Sequence, residues 1–155
     1  MKIDKDYIIR IRRELHQVPE IGFDLPKTLA IIRRELDAIG LPYTENFGTS
    51  SIVATLNEGK CKTIALRADT DALPVQEQTG LPFASCNPGR MHACGHDGHM
   101  AILLELARRL AAKPDLNHNV LLVFQPGEES PGGAKTICDT GVLEEYAVQA
   151  IFGLH

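Results

Sequence analysis

The chain has 155 residues, 44% of them hydrophobic and 23% charged, with 16 basic side chains against 20 acidic ones. This length suffices for one hydrophobic core, and the mixed composition excludes a mainly disordered chain. The net charge of -4 argues against nucleic acid as a partner, because phosphate binding rewards a basic excess.

In chain order, Asp4 is placed to cap a helix running to about His16, with Ile8, Ile11 and Leu15 on its inner face. Pro19 ends that segment. A second helix is predicted from near Leu25, with Pro26 in its first turn, a stripe of Leu29, Ile32, Leu36 and Ile39, and a cap at Gly40. The period then changes. Residues 51–56 and 63–68 read as short strands joined by a turn around Asn57-Glu58-Gly59-Lys60. Residues 69–95 have no clear period, and so long a loop in a compact domain is more often functional than idle. Met100, Leu103, Leu104, Ala107, Leu110 and Ala111 share one face of a third helix, ending before Pro114. Residues 119–124 (NVLLVF) form an apolar run suited to a strand covered on both faces. A short helix over 133–139 and a second buried strand over 148–152 complete the chain.

The expected fold class is α/β, a layered sheet with helices on both faces and parallel strands in the second half. No apolar run approaches the roughly 20 residues of a membrane span. The first thirty residues carry charges throughout, so no secretory signal is expected. Cys61, Cys86, Cys94 and Cys138 show no framework spacing, which predicts a cytoplasmic protein with reduced thiols.

Three polar segments follow strand ends: Arg67 to Asp71, Gln125 to Glu129, and Gly153 to His155. In open α/β sheets, ligands gather at the carboxyl ends of strands. The densest cluster is 91–99 (MHACGHDGH), where three of the six histidines and one cysteine fall within eight residues. Cys94 and His96 are two apart, so on an extended segment both can face one ion. The plainer reading is a thiol in a turn beside solvated histidines. Asp97 can cap the following helix, hold His96 from behind, or both. His92 and His99 are candidates to support the ligands or face a substrate. Glu128 and Glu129 cannot point the same way. One can ligate a metal while the other takes the proton of a metal-activated water, a division that a hydrolase needs. The alternative is a solvated acidic turn. The neighbouring glycines fail as a phosphate loop, because Gly stands at 133 where Lys is required. Asp69 and Asp71, beside Arg67, can orient a ligand or balance charge. Cys94 as a nucleophile or redox thiol is a weaker rival, lacking a clear triad partner.

Five ordered motifs carry a resemblance: RRELHxxPE at 12–20, LRADTDALP at 66–74, MHACGHDGH at 91–99, QPGEE at 125–129 and IFGLH at 151–155. Together they are similar to the amidohydrolase branch of the dinuclear-metal aminoacylase and carboxypeptidase superfamily. That branch includes hippurate hydrolase and N-acetyldiaminopimelate deacetylase. The resemblance implies a site of two divalent ions (Zn, Mn, Co or Ni) and a small N-acyl amino acid as substrate. It implies that Cys94 bridges the ions as thiolate, that His96 and Glu129 complete one ion's protein ligands, and that His155 ligates the other. Glu128 would be the general base and acid, and Asp69 would sit behind the ligands. Other branches use a His-x-Asp motif where this chain reads Arg67-Ala68-Asp69, so ligation would shift to Cys94 and His96. The resemblance further implies that residues 1–155 correspond to the N-terminal part of a catalytic domain, inactive alone. A dimerisation or lid domain and a C-terminal catalytic segment would be absent, and full-length relatives would be homo-oligomers. The alternative is a non-catalytic metal-binding or structural truncation product.

Overall fold

The computed structural model describes residues 3–57, 59–113 and 115–155. Helix α1 spans Lys5–His16, and the Tyr7 amide donates to the Asp4 carboxylate at 3.0 Å, satisfying one orphan amide of the first turn. Its buried stripe is Tyr7, Ile11 and Leu15. Ile8 is only partly buried, so the inner face is rotated from the expected one. Helix α2 spans Pro26–Ile39 and ends at Gly40, whose φ of 78° is the left-handed cap that glycine adopts without a Cβ penalty. Leu25 gives α2 no side-chain cap. Glu20 substitutes, accepting from the Lys27 and Thr28 amides at 3.2 and 2.8 Å.

The strands are β1 (Tyr43–Thr44), β2 (Ile52–Leu56), β3 (Thr63–Asp69), β4 (Asn119–Gln125) and β5 (Val148–Gly153), in the order β1-β2-β4-β3-β5. The two-residue β1 carried no sequence signal. β3 runs parallel to both β4 and β5, while β2 is antiparallel to β1 and β4. The turn expected around 57–60 therefore links strands that are not neighbours, because β4 lies between them. Glu58 in that turn, and the Pro114 expected to bound the third helix, lie outside the described residues.

Helix α3 (His96–Ala111) packs with α1 and α2 on one sheet face. There Ile11, Leu15, Ile32, Leu36, Met100 and Leu104 meet Ile52, Leu122 and Phe124. Ala111 is exposed rather than part of the stripe. Helices α4 (Gly133–Cys138) and α5 (Val142–Glu145) cover the other face over Val53, Ala65, Leu121 and Val123. Side chains sealed on both faces explain why β4 reads as an unbroken apolar run. Each large side chain buried there contributes about 1.5–3 kcal/mol.

Strand β5 corrects an expectation. It is not a buried strand: Ile151 and Phe152 are 50% and 60% exposed. Among the described residues, β5 pairs only with β3 and forms a sheet edge, so its apolar composition does not report its burial. An apolar cavity of about 240 Å³ opens between it and α3.

Candidate metal centre

Parallel register decides where the polar segments emerge. Asp69 lies opposite Gln125 and Arg67 opposite Gly153, so three strand exits share one sheet edge. Helix α3 brings its N-terminus there. It starts at His96, ahead of the Asp97 that the sequence offered as its cap. Gly95, with φ 98°, makes the sharp entry. Asp97 therefore lies inside the first turn rather than ahead of it, and accepts the Gly98 amide at 2.9 Å. Its other oxygen does not hold His96. It accepts from His16 Nδ1 at 2.7 Å and Arg12 Nε at 3.0 Å.

His96 is buried, and its Nδ1 donates to the Asp71 carbonyl at 2.8 Å. A carbonyl only accepts, so in the neutral ring the lone pair resides on Nε2. Nε2 makes no hydrogen bond, yet it is buried. It faces Asp69 Oδ2 at 3.5 Å, Glu128 Oε2 at 3.7 Å and Glu129 Oε1 at 3.8 Å. Cys94 Sγ lies 3.4 Å from His155 Nε2, and His155 Nδ1 lies 3.7 Å from Glu128 Oε1. Donor atoms of Cys94, His96 and His155 all lie within 4.8 Å of one another, as do those of Asp69, His96, Glu128 and His155. Ligands around one zinc-sized ion stand about 3–4 Å apart, so this donor set fits a divalent cation.

The structure thus brings together all six predicted residues: Asp69, Cys94, His96, Glu128, Glu129 and His155. Asp69 stands closer than expected, within direct reach of His96 Nε2. Its carboxylate accepts from Arg67 Nη1 at 2.8 Å and His99 Nδ1 at 2.7 Å. His92 is buried with neither ring nitrogen hydrogen-bonded, and burial pushes its pKa down to about 4, so it is neutral. Burial, then the negative charge of Glu129, raises the Cys94 thiol above its ordinary value. A bound cation inverts that balance and favours the thiolate.

Asp71 does more than its motif indicated. Its two carboxylate oxygens accept the amides of Glu128 and Glu129 at 2.9 and 3.1 Å, while its carbonyl holds His96. One buried residue thus orients three members of the cluster. Its place after a strand, beside Arg67 in the 66–74 motif, marked it in the sequence but did not give these partners. The glycines after Pro126 also find a role. The amides of Gly132 and Gly133 both donate to the Gly127 carbonyl, closing a loop around Glu128 and Glu129. A Cβ at Gly133 would lie 1.8 Å from the Pro126 carbonyl oxygen, so no other residue fits without moving backbone.

Residues 65–155 match Peptidase family M20/M25/M40. The chain is 46% identical over 149 residues to an N-acetyldiaminopimelate deacetylase of Listeria monocytogenes, covering 95% of this chain and 40% of that protein. It is 43% identical over 151 residues to the IAA-amino acid hydrolase ILR1-like 5 of Arabidopsis thaliana, covering 97% and 34%. The crystal structure of the Bacillus subtilis YXEP protein, a dinuclear metal binding peptidase of the M20 family, superposes with a TM-score of 0.85 at 40% identity. That match covers 98% of this chain and 44% of the other. The chain spans about 40% of the length of the Listeria deacetylase it matches. An acidic cluster with a cysteine and two histidines at three strand exits, and a family match that runs through all of it, lead to one assignment: the chain belongs to Peptidase family M20/M25/M40.

Proposed function

We propose that this chain forms the N-terminal part of the catalytic domain of a metal-dependent amidohydrolase that cleaves the amide bond of N-acyl amino acids. The observation that carries the reading is His96. Its Nε2 is buried without a hydrogen bond and faces three carboxylates, while its Nδ1 is locked by a carbonyl. Cys94, His96, Glu129 and His155 would hold two divalent ions drawn from Zn, Mn, Co or Ni, which supply Lewis acidity and lower the pKa of water.

Glu128 takes the remaining role. Asp71 fixes its backbone amide, and its carboxylate is left to accept the proton of the attacking water and deliver it to the departing amine. Arg67 and His99 hold the Asp69 carboxylate in one orientation, with Oδ2 3.5 Å from His96 Nε2. The deacetylase and the amino acid hydrolase named above support an amide substrate of this class. Among the described residues no helix is long and apolar enough to cross a membrane. We also propose a cytoplasmic location, a homo-oligomeric full-length protein, and further chain needed to complete the site.

The 155-residue chain by itself should therefore bind metal but hydrolyse little or nothing. Metal-loaded protein assayed against a panel of N-acyl amino acids tests this. Chelator-sensitive turnover by the chain alone would refute the incomplete-site reading, and failure to bind any divalent ion would refute the function itself.

A further inference from the structure

The motif at 12–20 contributes no donor atom to either group of potential ligands. It is nevertheless bonded to the loop around the site at several points. The Gln17 carbonyl accepts the Cys86 amide at 2.9 Å, the Pro19 carbonyl accepts Asn87 Nδ2 at 2.8 Å, and the Glu20 carbonyl accepts the Ala72 amide at 2.7 Å. At its start, Arg12 and His16 converge on Asp97. The long loop after β3 is thus tied to residues 12–20 along its length, and the metal-binding segment is tied at its end.

Asp97 and His96 are adjacent and are pinned in different directions. His96 is drawn to the β3 exit by Asp71, and Asp97 is drawn to α1. Asp97 is fully buried, and His16 is 2% exposed, with its Nε2 lying 3.3 Å from Glu77 Oε1. Glu77 is fixed in turn by the Ser85 amide at 2.6 Å and the Thr79 hydroxyl. The first turn of α3 has no side-chain cap before it, since Gly95 enters in the left-handed region. A buried charged cluster is a poor source of stability compared with apolar packing, so its presence here points to placement of the backbone.

We propose that Asp97, held by His16 and Arg12, is a positioning residue. Through the backbone of α3's first turn it sets where Cys94 and His96 stand, and so sets the affinity of the site for a divalent ion. This rests on the reading of Cys94 and His96 as ligands.

The test is titration of the 155-residue chain with Co²⁺, read by the thiolate-to-cobalt charge-transfer band, which Cys94→Ser must abolish. Asp97→Asn and His16→Ala are expected to weaken Co²⁺ binding about tenfold or more and to alter the band. His16→Asn, whose amide nitrogen can reproduce the Nδ1 hydrogen bond, is expected to restore binding close to wild type. Both His16 variants lose the ring's packing on Phe83, so comparing them isolates the hydrogen bond. Thermal melts verify folding, and if Asp97→Asn does not fold, the His16 pair decides. Wild-type affinity in His16→Ala, or equal weakness in both His16 variants, overturns the proposal. A wild-type chain with no Cys94-dependent band overturns the ligand reading itself, and this proposal falls with it.

Discussion

The two ends of the sheet both bury carboxylates, but they satisfy them differently. Far from the strand exits, Glu35 accepts from the Tyr7 hydroxyl at 2.8 Å and from Arg34, with Arg10 at 3.5 Å. Arg108 bridges Asp4 and Glu105 beside it. Fixed guanidinium charges answer each acid there. At the strand exits, Asp69 pairs with Arg67, while Asp71, Glu128 and Glu129 meet histidines and backbone amides. The first arrangement is closed by permanent cations. The second holds an excess of negative charge and an unbonded imidazole nitrogen, which a divalent cation would complete. The residue types alone do not separate a structural cluster from a chemical one; the identity of the partners does.

Substitutions at the two ends should separate in kind as well as size. The largest effect is expected from Glu128→Gln in the longer protein. Turnover should fall by about 10²- to 10⁴-fold with metal content retained, as measured by steady-state kinetics beside metal analysis. Unchanged turnover would remove Glu128 from its role. Asp71→Ala in the present chain should cost about 3 kcal/mol in chemical denaturation, because it strands two amides at the site.

Glu77 gives a pH test. Burial raises its carboxyl pKa, but hydrogen bonds from Thr79, Ser85 and His16 outweigh burial and hold it below the ordinary 4.5. A depressed folded-state value means the contribution is present above the unfolded pKa and is lost as pH falls through the folded one. The stability gap between wild type and Glu77→Gln should therefore shrink on acidification below about pH 4.5. A gap that widened would contradict the assignment. At the far end, Tyr7→Phe should cost about 1 kcal/mol of stability and leave metal binding unchanged. Smallest of all, Arg33→Ala breaks only the exposed pair with Glu45 and should stay within about 0.5 kcal/mol.

Local signals in the sequence carried most of the fold. Asp4, Pro26 and Gly40 bound their helices as their chemistry requires, and the apolar run of β4 marks a doubly covered strand. What local pattern does not encode is pairing. The insertion of β4 between β2 and β3, and the exposure of β5 at the edge, depend on which strand finds which neighbour. The same division holds at the candidate centre. Residues with donor atoms were visible as clusters, and all six come together. Asp71 was legible as a carboxylate that could orient a ligand, and Asp97 as a helix cap or a support for His96, but not the partners each one holds. Their partners lie 57 and 81 residues away in sequence, at Glu128 and His16, and only the fold reveals them.

X-ray absorption fine structure on the Zn²⁺-loaded chain shows whether the strand-exit cluster is a divalent metal site built on Cys94 and His96. The expected result is a sulfur scatterer at about 2.3 Å together with nitrogen or oxygen neighbours at about 2.0–2.2 Å, the sulfur being lost in Cys94→Ser. A shell of oxygen and nitrogen alone, unchanged by that substitution, would contradict it.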